Sequence, residues 1–192
     1  MKMSISPMEI RGNWDKGYVL DYHVASSASK GSSADGIANF DTERTPLGEL
    51  VYQLKYQGKY AAAKDIMDMV RPFLSTFHEL KTVNIVIPVP PSNRRDFQPV
   101  DELAWAIAAA LGKTFSDEML EKTSNIQAKN LSKSSKKLKG SIVAKKRGSR
   151  PYNILLVDDL YDTGKTLREC VSVLKDDPNL QKIYVLAMTK AR

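Results

Sequence analysis

The stretch ILLVDDLYDTGKT, Ile154 to Thr166, decides how the chain is read. Four apolar residues, Ile154 to Val157, run into two adjacent carboxylates, Asp158 and Asp159, and the polar turn Asp162-Thr163-Gly164-Lys165-Thr166 follows. A short, almost wholly apolar run is the pattern of a strand covered on both faces of a parallel sheet. Ligands of such sheets collect at the carboxyl ends of the strands, so both acids are expected at a binding edge. The turn leads into a helix whose first N–H groups lack partners and carry partial positive charge. Glycine lets the backbone approach a ligand closely and the threonine hydroxyls add donors, which suits a phosphate monoester. Carboxylates repel phosphate but accept hydrogen bonds from vicinal hydroxyls. The combination points to a sugar phosphate, with its diol on the acids and its phosphate on the turn.

Other readings of the same residues fit less well. Gly-Lys-Thr invites a P-loop assignment, but that pattern needs glycine five residues before its final glycine, where this chain has Asp159. The acid pair also resembles the start of a receiver domain, which the 33 residues after Asp159 are expected to be too few to complete. Acids that merely end a strand would leave charge to be desolvated without compensation.

Outward from this stretch, VNIVIPV (83–89) and KIYVLAMT (182–189) read as further buried strands. KTLRECVSVLKDD (165–177) reads as a helix with Leu167, Cys170, Val171 and Leu174 inward. Upstream, Leu47, Leu50, Val51 and Leu54 share one face of a helix that starts at Thr45 and breaks at Gly58. Helical period resumes over 60–77, bent or interrupted at Pro72, and Pro99 to Leu111 forms a helix ended by Gly112. Strand and helix alternate, so the expected fold class is α/β, a parallel twisted sheet flanked by helices with right-handed crossovers. Residues 1–40 are less regular: 17–24 alternates as a strand and 26–36 is a Gly/Ser-rich polar loop. They are read as an N-terminal hood or hairpin segment on a main domain spanning 41–192.

A chain of 192 residues is enough for one well-buried domain. Its mean hydropathy of −0.35 is that of a soluble protein. No apolar run is long enough for a bilayer, so no membrane partner is expected. Met1 to Trp14 lacks the apolar centre of a secretory signal, and the single cysteine, Cys170, excludes a disulfide framework; a cytoplasmic location is expected. The net charge of +7 is unevenly spread, with ten Lys or Arg and no acid between Lys122 and Arg150. The rest of the chain has 19 basic and 22 acidic groups. The segment 122–150 is therefore either a solvated, flexible loop or a surface that handles polyphosphate or single-stranded nucleic acid.

ILLVDDLYDTGKT resembles the phosphoribosyl pyrophosphate signature of type I phosphoribosyltransferases at all 13 positions. LVYQLKYQGKYAAAKDI (50–66), IVIPVPPSNRRDFQPVDELA (85–104) and NIQAKNLSKSSKKLKGSIVA (125–144) look like successive blocks of the ComF-like phosphoribosyltransferase family. Residues 1–40, which contain no cysteine, stand where that family commonly has a Cys-rich zinc module. Arg95 to Gln98 reads Arg-Asp-Phe-Gln where relatives usually have Arg-Gly-Phe-Asn, and Lys136 replaces a usual Arg. The resemblance implies the type I phosphoribosyltransferase fold and a protein that binds 5-phosphoribosyl 1-pyrophosphate. Asp158 and Asp159 would take the ribose hydroxyls, with Mg²⁺ bridging ribose and pyrophosphate. Asp162, Thr163, Gly164, Lys165 and Thr166 would bind the 5′-phosphate, and Pro90, Pro91, Ser92, Asn93 and Arg94 the pyrophosphate. The basic segment would be a mobile lid that neutralises departing pyrophosphate. Asp162 resembles the aspartate of hypoxanthine-guanine phosphoribosyltransferases that serves as acid/base near purine N7. Lys190 falls, without gaps, where that family has the lysine that reads a purine 6-oxo group; a snorkelling terminal lysine is the alternative. A homodimer is compatible with the resemblance.

The remaining candidates are weaker. His23 and His78 have no partner at metal-ligand spacing and read as structural or surface residues. Trp105 is expected in the core, and Trp14 and Tyr18 either stack on a base in the hood or pack. Three functions follow: an Mg²⁺-dependent phosphoribosyltransferase, a non-catalytic ComF-like protein of DNA uptake, and a sensor of the sugar pyrophosphate. Against the DNA role, 122–150 contains no aromatic side chain to stack on bases.

Overall fold

The computed structural model describes residues 4–32, 38–91, 97–123 and 141–192. Ser92, Asn93 and Arg94 of the expected pyrophosphate loop, and the middle of the basic segment (124–140), lie outside the described residues. In chain order the elements are β1 (Met8–Glu9), β2 (Lys16–Tyr22), β3 (Val24–Ser32), β4 (Ala38–Arg44), α1 (Pro46–Tyr56), α2 (Ala62–Thr76) and β5 (Ile85–Pro88). They continue with α3 (Pro99–Leu111), β6 (Thr114–Phe115), β7 (Leu120–Lys122), β8 (Ile142–Ala144), β9 (Tyr152–Tyr161), α4 (Lys165–Leu174) and β10 (Leu180–Lys190).

Six strands form one sheet in the order β1-β2-β10-β9-β5-β6, parallel throughout except for β1, which runs antiparallel to β2 at the edge. The expected α/β class holds: a mostly parallel sheet with helices on both faces. β9 is central and buried on both sides because its apolar run alternates between two cores. Leu155 and Val157 pack with Leu47, Val51 and Leu54 of α1, Ile66 of α2 and Leu103 of α3. Ile154 and Leu156 pack with Leu167, Cys170, Val171 and Leu174 of α4 and with Ile142 of β8. Each such side chain contributes about 1.5–3 kcal/mol by leaving water.

Helix boundaries follow local chemistry. The Thr45 hydroxyl accepts from Gly48 N at 3.0 Å and starts α1, and Gly58, at φ 62°, ends that segment. Gly112, at φ 64°, closes α3. α2 continues without interruption through Pro72, where a bend or a break was expected. Pro72 and Asp68 both lie on the exposed face, so the carbonyl left without a donor faces water.

Three expectations are corrected. Residues 8–22 are not part of a separate hood: β2 lies in the central sheet, parallel to β10, with Val19 paired to Ala187. The stretch beginning at Ser26 is not simply a loop. Through Ser32 it forms one arm of a hairpin with β4, held by backbone pairing from Val24↔Arg44 onward and so invisible to hydrophobic periodicity. The basic segment is closed at its base by a ribbon, β7 against β8, with Lys122 opposite Ile142. Beyond β8, Asp177 Oδ2 accepts from Gly148 N and from the Tyr152 hydroxyl, both at 2.7 Å, which ties 148–152 to the end of α4.

The tryptophans change places as well. Trp105, expected in the core, is 55% exposed on α3, whose inward face is taken by Leu103, Ala104, Ile107 and Ala108. Trp14 is buried beside β2 with Nε1 donating to Ile10 O at 2.9 Å, and Tyr18 meets Phe73 and Phe77 edge-on. Neither is part of a base-stacking hood.

Candidate functional site

Because side chains alternate along a strand, adjacent Asp158 and Asp159 project to opposite faces of β9 at its carboxyl end. Both line a cleft of about 290 Å³ with Lys55, Pro90, Pro91, Gln98, Lys122 and Thr166. Six segments converge there: the ends of β5 and β9, the starts of α3 and α4, the end of α1, and β7.

Asp158 Oδ1 accepts from Asp159 N at 2.9 Å. Burial, and then the charge of Asp159, push its carboxyl up to about 7. Asp159 is 5% exposed and pairs through Oδ2 with Lys55 Nζ at 2.7 Å. Burial works against the Lys55 ammonium, but the charge and hydrogen bond of Asp159 outweigh it and hold the amine above its ordinary range. Beneath the pair, the buried Thr189 hydroxyl donates to Asp159 O at 3.0 Å. His23 Nδ1 lies 3.1 Å from the same hydroxyl. Burial, then the charges of Arg44 and Lys55, lower the His23 pKa, so its ring is neutral at pH 7. Asp159, Thr189 and His23 thus form a row across the carboxyl edge of β9, β10 and β2.

The turn after β9 has the expected form. Gly164 takes φ 72° and precedes α4 without a side-chain cap of its own; Lys165 N donates to Thr163 Oγ1 at 3.4 Å, and the amides that follow it at the start of the helix face a ligand or solvent. A Cβ at Gly164 would lie 2.8 Å from the Tyr161 ring. Arg168 Nη1 donates to Thr163 O at 2.7 Å and braces the turn from one helical turn onward. Thr166 lines the cleft, whereas Asp162, Thr163 and Lys165 are exposed on the turn before it. Lys190 ends β10 between Tyr22 and Tyr161, at the same sheet edge but outside the cleft lining. Of the expected pyrophosphate residues, Pro90 and Pro91 line the cleft. β3 and β4 leave from the end of β2, so the hairpin rises from this same edge.

Sequence reasoning missed Lys55 and the link from His23 to Asp159. A signal for Lys55 was present: it stands eight residues after Leu47 in the apolar stripe of α1, a core-facing position given to a cation. His23 carried no such signal, since its neighbour Thr189 is 166 residues away.

No group of three or more metal-ligating side chains converges among the described residues. Mg²⁺ keeps several waters and is usually held by one or two carboxylates plus phosphate oxygens. Asp158 and Asp159 are two such carboxylates and fit an ion that brings phosphate oxygens with it. No helix among the described residues is long and apolar enough to cross a membrane.

No model of a known protein family matches the chain, and no curated protein does. Among solved structures it is similar to adenine phosphoribosyltransferase from Leishmania tarentolae, at 12% identity and a TM-score of 0.48 over 96% of this chain and 94% of that one. The Trypanosoma brucei adenine phosphoribosyltransferase, solved with AMP, pyrophosphate and ribose-5-phosphate, gives 12% and 0.48 over 98% and 87%. Leishmania donovani UMP synthase gives 14% and 0.39 over 81% of this chain, which spans 26% of that protein's length. At such identities and TM-scores the likeness assigns no role to any residue.

Proposed function

We propose that the chain binds 5-phosphoribosyl 1-pyrophosphate with Mg²⁺ in this cleft and transfers phosphoribose to a nitrogenous acceptor, releasing pyrophosphate. The observation that carries this reading is the acid pair at the end of β9, with an uncapped helix N-terminus one turn later and lysines 55 and 122 lining the same cleft. Carboxylates for a diol and cations with amides for phosphates are thereby placed within one ligand's reach. In this reading Asp158 and Asp159 hold the ribose hydroxyls, and the 163–166 turn holds the 5′-phosphate. Pro90 and Pro91 lead the chain past the pyrophosphate. Lys122, at the foot of the basic segment, faces the departing charge. Bound Mg²⁺ would neutralise pyrophosphate oxygens and make them better leaving groups. Asp162, exposed beside the turn, is the candidate acid/base toward the acceptor, and the hairpin rising from β2 is the candidate hood.

Calorimetry with phosphoribosyl pyrophosphate and Mg²⁺ tests the reading. Binding should be lost in the double variant Asp158→Asn, Asp159→Asn; no binding by the unaltered chain would end it. A panel of bases assayed for pyrophosphate release would then identify the acceptor.

A second reading, handling of single-stranded nucleic acid, gains one observation. Tyr56 and Tyr60 are each 59% exposed around the end of α1, near Lys55 and Lys59, and supply stacking surface that the basic segment lacks. Within that segment, Lys145 and Lys146 are paired with Glu121 and Glu118, which lessens its free charge. A single-strand titration across salt decides it: a steep slope supports backbone contact, and a flat one removes it.

A further inference from the structure

The Lys55 ammonium stands where a cation is expected to be received. It is 2.7 Å from Asp159 Oδ2, in the cleft that Asp158 also lines. An ammonium at hydrogen-bond distance from a carboxylate oxygen competes with a divalent ion for that oxygen and repels an ion anywhere on that carboxylate. The backbone carrying Lys55 is anchored. Leu47, Val51 and Leu54 of α1 are buried, and Gly48 packs so tightly on the start of the hairpin that a Cβ there would lie 2.1 Å from His23 O. α1 is therefore not placed to withdraw as a body. The lysine stem has four rotatable bonds and its side chain is 29% exposed, so the ammonium alone can leave the carboxylate.

From this arrangement we propose that Lys55 is a built-in counter-cation that prevents Asp158 and Asp159 from binding a divalent ion on their own. The metal then enters only with a phosphorylated ligand, as the ammonium moves from Asp159 to a phosphate oxygen. Lys55 is thus a specificity-determining residue: it makes metal occupancy conditional on the ligand. The ligand half of this statement rests on the proposed function; the metal half does not.

The test is Mn²⁺ titration of the full chain at pH 8, followed by the resonance of free Mn²⁺, without and with phosphoribosyl pyrophosphate. Lys55→Met should bind Mn²⁺ alone at least about tenfold more tightly than the unaltered chain, a difference of about 1.4 kcal/mol. Lys55→Arg should bind like the unaltered chain, and adding Asp159→Asn to Lys55→Met should remove the gain. Lys55→Gln provides a second uncharged variant should the methionine not fold. A merely structural lysine would leave metal affinity unchanged or weaken it. Unchanged or weaker Mn²⁺ binding in both uncharged variants, or an arginine variant as tight as they are, overturns the proposal. If the unaltered chain takes no Mn²⁺ even with phosphoribosyl pyrophosphate, the proposed function fails, while the variants without ligand still decide the role of Lys55.

Discussion

Replacing Asp158 with asparagine should make the protein more stable while removing part of its proposed binding site. The native environment raises this carboxyl from 3.8 to about 7, through burial first and the neighbouring charge of Asp159 second. Below pH 3.8 the group is protonated in both native and unfolded chains and carries no penalty. Between 3.8 and about 7 the native state keeps the proton and the unfolded state does not, so stability falls as pH rises. Above about 7 the full penalty stands. A displacement of this size corresponds to about 4 kcal/mol. Asp158 is partly open to the cleft, where solvent screens its charge, so the expected gain for Asp158→Asn at pH 8 is about 2 kcal/mol. Asparagine keeps the oxygen that accepts from Asp159 N, so no hydrogen bond is lost. Urea unfolding of both chains at pH 4 and pH 8 gives the comparison. The asparagine variant should be more stable at pH 8 and indistinguishable near pH 4. An equal or lower stability at pH 8, or the same increment at both pH values, would refute the assignment of a buried, charge-strained carboxyl.

Other perturbations reach the parts that hold the site. Gly48→Ala sets a methyl group 2.1 Å from a backbone carbonyl and should cost about 3 kcal/mol in chemical unfolding, because neither partner is a flexible side-chain end. Gly164→Ala must hold φ near 72° against the Tyr161 ring; about 1–2 kcal/mol of lost stability and a weaker response to phosphoribosyl pyrophosphate in calorimetry are expected. With Trp105 55% exposed and Trp14 at 7%, Trp105→Phe should remove most iodide-quenchable tryptophan fluorescence and change the unfolding midpoint little.

Where one short segment carries both pattern and chemistry, the sequence was legible. The strand at 152–161, the turn at Gly164 and the helix after it are written in consecutive residues, because burial on both faces demands an unbroken apolar run and a positive φ selects glycine. β3 and β4 were illegible for the converse reason: backbone pairing holds them, and their serines and alanines have no apolar period to detect. Trp105 misled because an aromatic residue in a helical pattern carries no mark of which side faces the core when alanines can fill the inner face.

The sequence by itself therefore determined the α/β alternation, the acid pair and the turn that follows it, since each depends on neighbours along the chain. Tertiary structure alone decided what surrounds the acids. Lys55 is 104 residues from Asp159, and His23 is 166 from Thr189; they meet because parallel strands bring every carboxyl end to one edge and α1 packs across that edge. Which cation holds which carboxylate depends on that packing, and no spacing in the chain encodes it.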